Sequence, residues 1–199
     1  MGYLIKKQKM SLDAVVSGES YEKCTFLYSS EPLRFDGVSF SSCIFQQEDF
    51  SHSDWSNCIL NNCQFLNNNF TNSLFFQTKF NKCQLLGADF SNNTWKKVNV
   101  IDCKADYCNF SVSKLVGCSF TDTSLLEAYF QELSVRQKLI YTNCQMDGVD
   151  FLGTLMKGVD LSRSYFEDLR VAPNLVKGCI IASVQAPIFA NLLGVQIKD

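Results

Sequence analysis

An apolar residue stands at every fifth position through most of this chain, and that spacing limits its fold more than any other feature. From Phe35 the series runs through Phe40, Phe45, Phe50, Trp55, Leu60 and Phe65, and continues unbroken to Ile140. Neither a helix of period 3.6 nor a strand of period 2 produces it. Two residues before most centres sits a small or modest residue, such as Cys58, Ser73, Thr78, Ala88 or Cys108, so the unit is small–x–large–x–x. After Ile140 the phase slips by one and resumes at Met146, Phe151, Met156, Leu161, Phe166 and Val171, which predicts a one-residue insertion at about 141–143. Upstream, Val16, Tyr21 and Phe26 show the unit in another phase, and the stretch 27–33, with Pro32, predicts an irregular loop.

A longer period lies on top of the short one. Phe50, Phe70, Phe90, Phe110 and Phe130 form a row of identical residues 20 apart, and Phe151 extends it once the slip is counted. Cys43, Cys63, Cys83 and Cys103 form a second row, and Trp55 and Trp95 share a row with Phe35 and Phe75. A five-residue unit does not by itself require identity at 20, so the rows predict four faces per coil. No coil can bury its apolar ring alone, and each needs neighbours above and below. Coils stacked at the strand spacing of about 4.8 Å would give roughly eight coils and a rod of about 40 Å.

The repeat resembles the pentapeptide-repeat family. The resemblance implies an all-β chain, a right-handed quadrilateral parallel β-helix, and the sequence adds a short C-terminal helix. The expected division is residues 1–13 as an N-terminal extension, 14–181 as the β-helix, and 182–199 as a helix and tail for capping and dimerisation. In that tail Ser183 is the expected N-cap of a helix reaching Leu193, with Pro187 in its first turn and Gly194 as its stop. Ile188, Phe189, Leu192, Leu193 and Val195 are too apolar for a free tail and read as a cap over the last coil and a dimer interface.

Ten cysteines raise the question of disulfides or metal. All but Cys179 occupy the small inward slot, their spacing is not that of a zinc knuckle, and parallel Cβ vectors in a stacked row suit a disulfide poorly. They read as small buried hydrophobes. Glu48, Asn68, Asn93 and Lys138 fall in the same slot, and the two charged ones should turn outward, because an isolated buried charge is costly. The single His52 lies beside Asp54, but neighbours along one strand point to opposite sides and do not converge as a catalytic triad must. There is no Walker or dinucleotide motif. The reading is a protein with no catalytic residues, no cofactor and no metal.

Net charge is −2 with a pI near 5.4. That predicts no direct nucleic-acid binding, which calls for a basic face. No run approaches the roughly 18 apolar residues of a membrane span, and residues 1–10 lack a signal-like apolar core, so a cytoplasmic protein is expected.

Within the pentapeptide family three stretches are similar to the Qnr-type topoisomerase-protection proteins of Gram-positive bacteria and to MfpA. They are DCKADYCNF (102–110), FLGTLMKGVDLSRSYFEDL (151–169), and the tail with APN (172–174), QA (185–186) and LLGV (192–195). The resemblance implies a cofactor-free homodimeric rod, joined at its C-terminal end. Such a rod mimics duplex DNA, binds DNA gyrase or topoisomerase IV, and protects the enzyme from quinolones or inhibits it. Long projecting loops, which many Qnr proteins carry, are absent from the pattern. Asp49, Asp54, Asp89, Asp102, Asp106 and Asp122 are the candidate partner-binding carboxylates, and Lys96, Lys97, Lys104 and Lys114 would have to lie elsewhere. The alternative is a non-enzymatic scaffold or regulatory repeat protein with another protein partner.

Overall fold

A computed structural model describes residues 2–198. The chain forms a parallel β-solenoid of about eight coils, followed by one short helix. Every strand pairing is parallel, and through the middle of the rod partners lie one 20-residue coil apart: Phe35 pairs with Trp55, Trp55 with Phe75, and Phe75 with Trp95. Four faces follow one another around each coil. We name them by their central residues in one coil: the Phe75, Phe80, Leu85 and Phe90 faces.

Two residues of each five point inward, the centre and the residue two before it, which is why both positions are apolar or small. From Phe50 to Phe130 every centre is buried. The Phe row is a stack. Phe50 and Phe70 lie 4.9 Å apart, Phe70 and Phe90 4.8 Å, Phe90 and Phe110 5.4 Å, Phe110 and Phe130 4.6 Å, and Phe130 and Phe151 5.4 Å between ring centroids. Rings of the Phe row stack along the rod and meet their neighbours around each coil edge-on or tilted, as aromatic quadrupoles prefer.

The small slot has a second requirement that explains its Cys, Ser and Thr. The side chain there donates a hydrogen bond to the main-chain carbonyl of a centre in the preceding coil. Cys58 Sγ donates to Phe35 O at 3.4 Å, Thr78 Oγ1 to Trp55 O at 2.7 Å, Ser113 Oγ to Phe90 O at 3.0 Å and Thr154 Oγ1 to Phe130 O at 2.6 Å. These carbonyls face the core, where an unmet acceptor would cost free energy. All ten cysteines are free thiols, nine of them buried. Asn68 and Asn93 also point inward. Asn68 Nδ2 donates to Gln47 O at 3.0 Å, and Asn93 Oδ1 accepts from Ser73 N at 2.7 Å.

Corners turn by placing the residue two after most centres in the left-handed region. Asn57, Asn62, Asn67, Asn72 and Asn92 suit this because Asn tolerates that conformation. Val112, with φ of 59°, is the β-branched exception and a strained position.

The structure corrects four expectations. Residues assigned to an N-terminal extension form coil: Leu4–Lys6 pairs with Ser20–Glu22, and Lys9–Ser11 with Thr25–Leu27. That first coil is short, since Leu4 meets Ser20, and Leu12 rather than Val16 fills its core, Val16 being exposed. The insertion lies earlier than 141–143. Register runs Val116 to Arg136 and then Cys118 to Leu139, so the extra residue belongs to the turn before Leu139. Tyr141, not Ile140, is therefore the buried centre, and it stacks on Phe120 at 5.2 Å. Lys138 and Glu48 do turn outward, and Gln47 takes the buried place beside Glu48, its Oε1 accepting from Ser29 N at 3.0 Å.

The fourth correction concerns the tail. Ser183 caps nothing: Ser183–Gln185 is a 3-10 turn, and the α-helix is Ala186–Leu192, with Pro187 in its first turn and Gly194 at φ of 73° after its end. Gln185 is the plug. Its Nε2 donates to Leu161 O at 3.0 Å and Ser164 O at 2.8 Å, and its Oε1 accepts from Ala182 N at 2.9 Å. Ile188, Phe189 and Leu192 pack on the core end, Phe189 edge-on to Phe166, whereas Leu193 and Val195 stay exposed.

Candidate partner-binding surface

Three of each five residues point outward, so the rod's surface is a grid. Rows run along the rod at one coil per step, and charges far apart in sequence become neighbours. The six carboxylates expected to bind a partner do not share one face. Asp49 and Asp89 lie on the Phe90 face, in a ladder where Asp49 bridges Asn69 and Asn69 bridges Asp89. Asp54 lies on the Phe75 face, pairing with Arg34 and Leu74. Asp102 and Asp122 stack at the corner between the Phe80 and Leu85 faces, Asp102 with Lys82 Nζ at 3.9 Å and Asp122 accepting from Asn143 Nδ2 at 3.1 Å. Asp106 lies on the Leu85 face and accepts from Leu126 N at 3.0 Å. His52 is an exposed corner residue at φ of 58°.

Most of these carboxylates also have local work. Asp49 Oδ1 accepts from Ser51 N, and Asp89 Oδ1 from Ser91 N, both at 2.9 Å. Asn69 and Asn109 make the same turn in the same row, to Thr71 N at 2.9 Å and Ser111 N at 3.0 Å. An amide thus serves the turn as well as a carboxylate does, and the negative charge of Asp49 and Asp89 is additional to it.

Beyond the expected six, the structure gathers acids that a linear reading overlooks. Glu127, Asp147, Glu167 and Asp168 occupy the outward positions of the Leu85 face below Asp106, linked by Asp147 Oδ1 accepting from Glu167 N at 2.6 Å and Asp168 Oδ1 accepting from Gly148 N at 3.1 Å. With Asp89 they make the edge between the Leu85 and Phe90 faces acidic over several coils. One cation lies within it, Arg170, whose Nη2 is 3.4 Å from Glu127 Oε2. Row positions across the insertion were the available signal: Asp106, Leu126, Asp147 and Glu167 are successive members of one outward row.

The lysines set apart from this edge are sorted too. Lys96, Lys97 and Lys114 lie on the Phe75 face, opposite the Leu85 face, and only Lys104 sits on the Leu85 face. Among the described residues no group of three or more His, Cys, Asp or Glu side chains is placed to hold a metal. No helix there is long and apolar enough to cross a membrane.

Residues 83–122 match the family model described as pentapeptide repeats, in eight copies. No curated protein matches the chain. Among solved structures it is similar to a trypsin-treated variant of QnrB1, described as a plasmid-mediated fluoroquinolone resistance protein, at 19% identity over 99% of this chain and 98% of that one, TM-score 0.48. It is also similar to full-length QnrB1, at 18% identity over 98% of each chain, TM-score 0.41. HetL, described as a pentapeptide repeat protein involved in heterocyst differentiation regulation from the cyanobacterium Nostoc, matches at 12% identity over 90% of this chain and 86% of that one, TM-score 0.43. Residues 83–122 are thus pentapeptide repeats, and the structure shows the same unit coil after coil on either side of them.

Proposed function

We propose that this protein is a non-enzymatic DNA mimic that binds a type II topoisomerase, DNA gyrase or topoisomerase IV, and modulates its response to quinolones. The acidic edge carries the reading. Each coil from Asp89 to Glu167 places at least one carboxylate on this edge, which offers a cationic DNA groove a band of negative charge, and complementary potentials speed and orient such docking. The similarity of the tail to Qnr-type proteins supports the same reading. A supercoiling assay with purified gyrase, with and without ciprofloxacin, should show either rescue or inhibition as the protein is titrated. Asp106→Asn with Asp147→Asn keeps acceptor oxygens for the local hydrogen bonds and removes two charges, and should weaken the effect about tenfold, on the order of 1.4 kcal/mol. Asp54→Asn, on a different face, should leave it unchanged. Equal loss in both variants would sink the acidic edge as the contact.

A second reading, a scaffold for some other protein, draws on Leu66 and Leu86, which are 51% and 41% exposed in the same outward row of the Leu85 face. It would be favoured if gyrase and topoisomerase IV both fail to respond.

The proposed active form is a two-fold dimer through the C-terminal end. Val184, Leu193, Val195 and Ile197 are exposed there, more apolar surface than a tail in water would keep free. Light scattering should give twice the chain mass for the native protein and the chain mass for Leu193→Glu. A native monomer would remove the dimer from the proposal.

A further inference from the structure

The edge diagonally across the rod from the acidic one is its inverse. Where the Phe75 face turns into the Phe80 face, Lys79, Lys96, Lys97, Arg136, Lys138 and Lys157 line the rod over five coils, interrupted only at the coil of Val116, Gly117 and Ser119. From Ser56 to Lys157 the outward positions of this edge carry no Asp or Glu, and Asp160, opposite Ile140, is the acid that ends the run. Among the described residues three ion pairs form, Lys6 with Glu22, Lys82 with Asp102 and Arg170 with Glu127, and none involves these six cations. Lys96 is held in place by lying over the Phe76 ring, 5.5 Å from its centroid. The inserted residue belongs here as well. The register shift opposite Val116 and Cys118 lengthens this corner and carries Arg136, Gln137 and Lys138 outward, all three exposed. This irregularity thus adds reach to two cations.

We infer that this basic edge is a docking surface for duplex DNA, held by its phosphates without regard to sequence. Charge complementarity carries the assignment. Four of five successive coils, about 4.8 Å apart, carry one or two of these cations along a straight, stiff ridge, which suits the regular phosphates of a duplex. No exposed large apolar or aromatic side chain lies between Lys79 and Lys157 on this edge. The ridge therefore lacks the buried anchor around which protein interfaces are built, and it lacks the platforms on which single-stranded bases stack. Net charge near zero argues against nucleic-acid binding only if charge is spread evenly, and here the two signs occupy opposite edges. The inference is independent of the proposed topoisomerase partner, since it concerns the other side of the rod.

Fluorescence anisotropy of a labelled mixed-sequence duplex, titrated with the full chain over a series of KCl concentrations, tests it. Six phosphate contacts predict a log–log salt slope of about −5. The variant Lys96→Gln, Lys97→Gln, Lys138→Gln should weaken binding more than tenfold at low salt and reduce the slope by about 2 to 3. All three side chains are exposed, so circular dichroism should be unchanged; were it altered, Lys157→Gln alone should still lower the slope by about 1. Asp106→Asn with Asp147→Asn should bind duplex at least as well as the native chain. Absence of duplex binding at low salt, or a slope that the lysine variants leave unchanged, overturns the inference. So would salt-sensitive self-association lost in the triple variant without any duplex binding, which would assign the ridge to the acidic edge of a second copy.

Discussion

Raised from neutral pH to pH 10, the protein is expected to unfold cooperatively. The cause is a set of buried thiols. Burial pushes Cys58 up to about 12, and it pushes Cys63 and Cys108 up in the same way. In the unfolded chain a thiol ionises near 8.5. Below that value both states hold the proton and the thiols do not oppose folding. As pH rises through it the unfolded chain loses protons that the folded chain keeps, so stability falls steadily toward the folded value of about 12 for Cys58. At pH 10 each such thiol removes about 2 kcal/mol, so these three together remove about 6 kcal/mol. That is comparable to the total stability of an ordinary domain, about 5–15 kcal/mol. A pH titration followed by far-UV circular dichroism should show the transition, and Cys58→Ala should move its midpoint upward. An alkaline midpoint unmoved by removing any of the three thiols would show that the thiols are not its origin.

Replacing Phe110 by alanine should cost about 3–5 kcal/mol. The ring lies between Phe90 and Phe130 at 5.4 and 4.6 Å and meets Trp95 and Phe120 edge-on at 5.4 and 5.6 Å. It is fully buried, and neither neighbouring coil can collapse into the gap without breaking strand register. Denaturant unfolding should show a lower midpoint with an unchanged slope. A loss below about 1 kcal/mol would mean that the coils repack around the missing ring, contrary to close packing in the interior.

The residues that define the coil were legible because the same physics repeats at a fixed interval. Phe50 and Phe70 must stack, so the sequence shows them 20 apart. Legibility failed where the interval changes. The first coil takes 16 residues from Leu4 to Ser20, and a count of five cannot find it. At the insertion Ile140 and Tyr141 are both apolar, and either satisfies the pattern. Only the strand register, which pairs Phe120 with Tyr141, decides between them. Gln185 was hidden for the opposite reason. It is a polar residue in an apolar stretch, and its value lies in two carbonyls, Leu161 and Ser164, that no local pattern places beside it. The candidate surface was read least well. Asp49, Asp54 and Asp102 are equally acidic in sequence and lie on three different parts of the rod, while Asp106 and Glu167 are 61 residues apart and share a row.

A stack of parallel coils is a template for its own continuation, because the last turn presents the same row of unpaired amides and carbonyls that the previous turn offered to it. Left open, such an end would seed fibres by accepting strands from other chains. Gln185 meets two carbonyls of that end with one side chain, Leu161 O in the way a slot side chain of a further coil would and Ser164 O beside it, and the helix behind it covers the apolar ring with Ile188, Phe189 and Leu192. Growth stops because the terminating group satisfies the template without reproducing it.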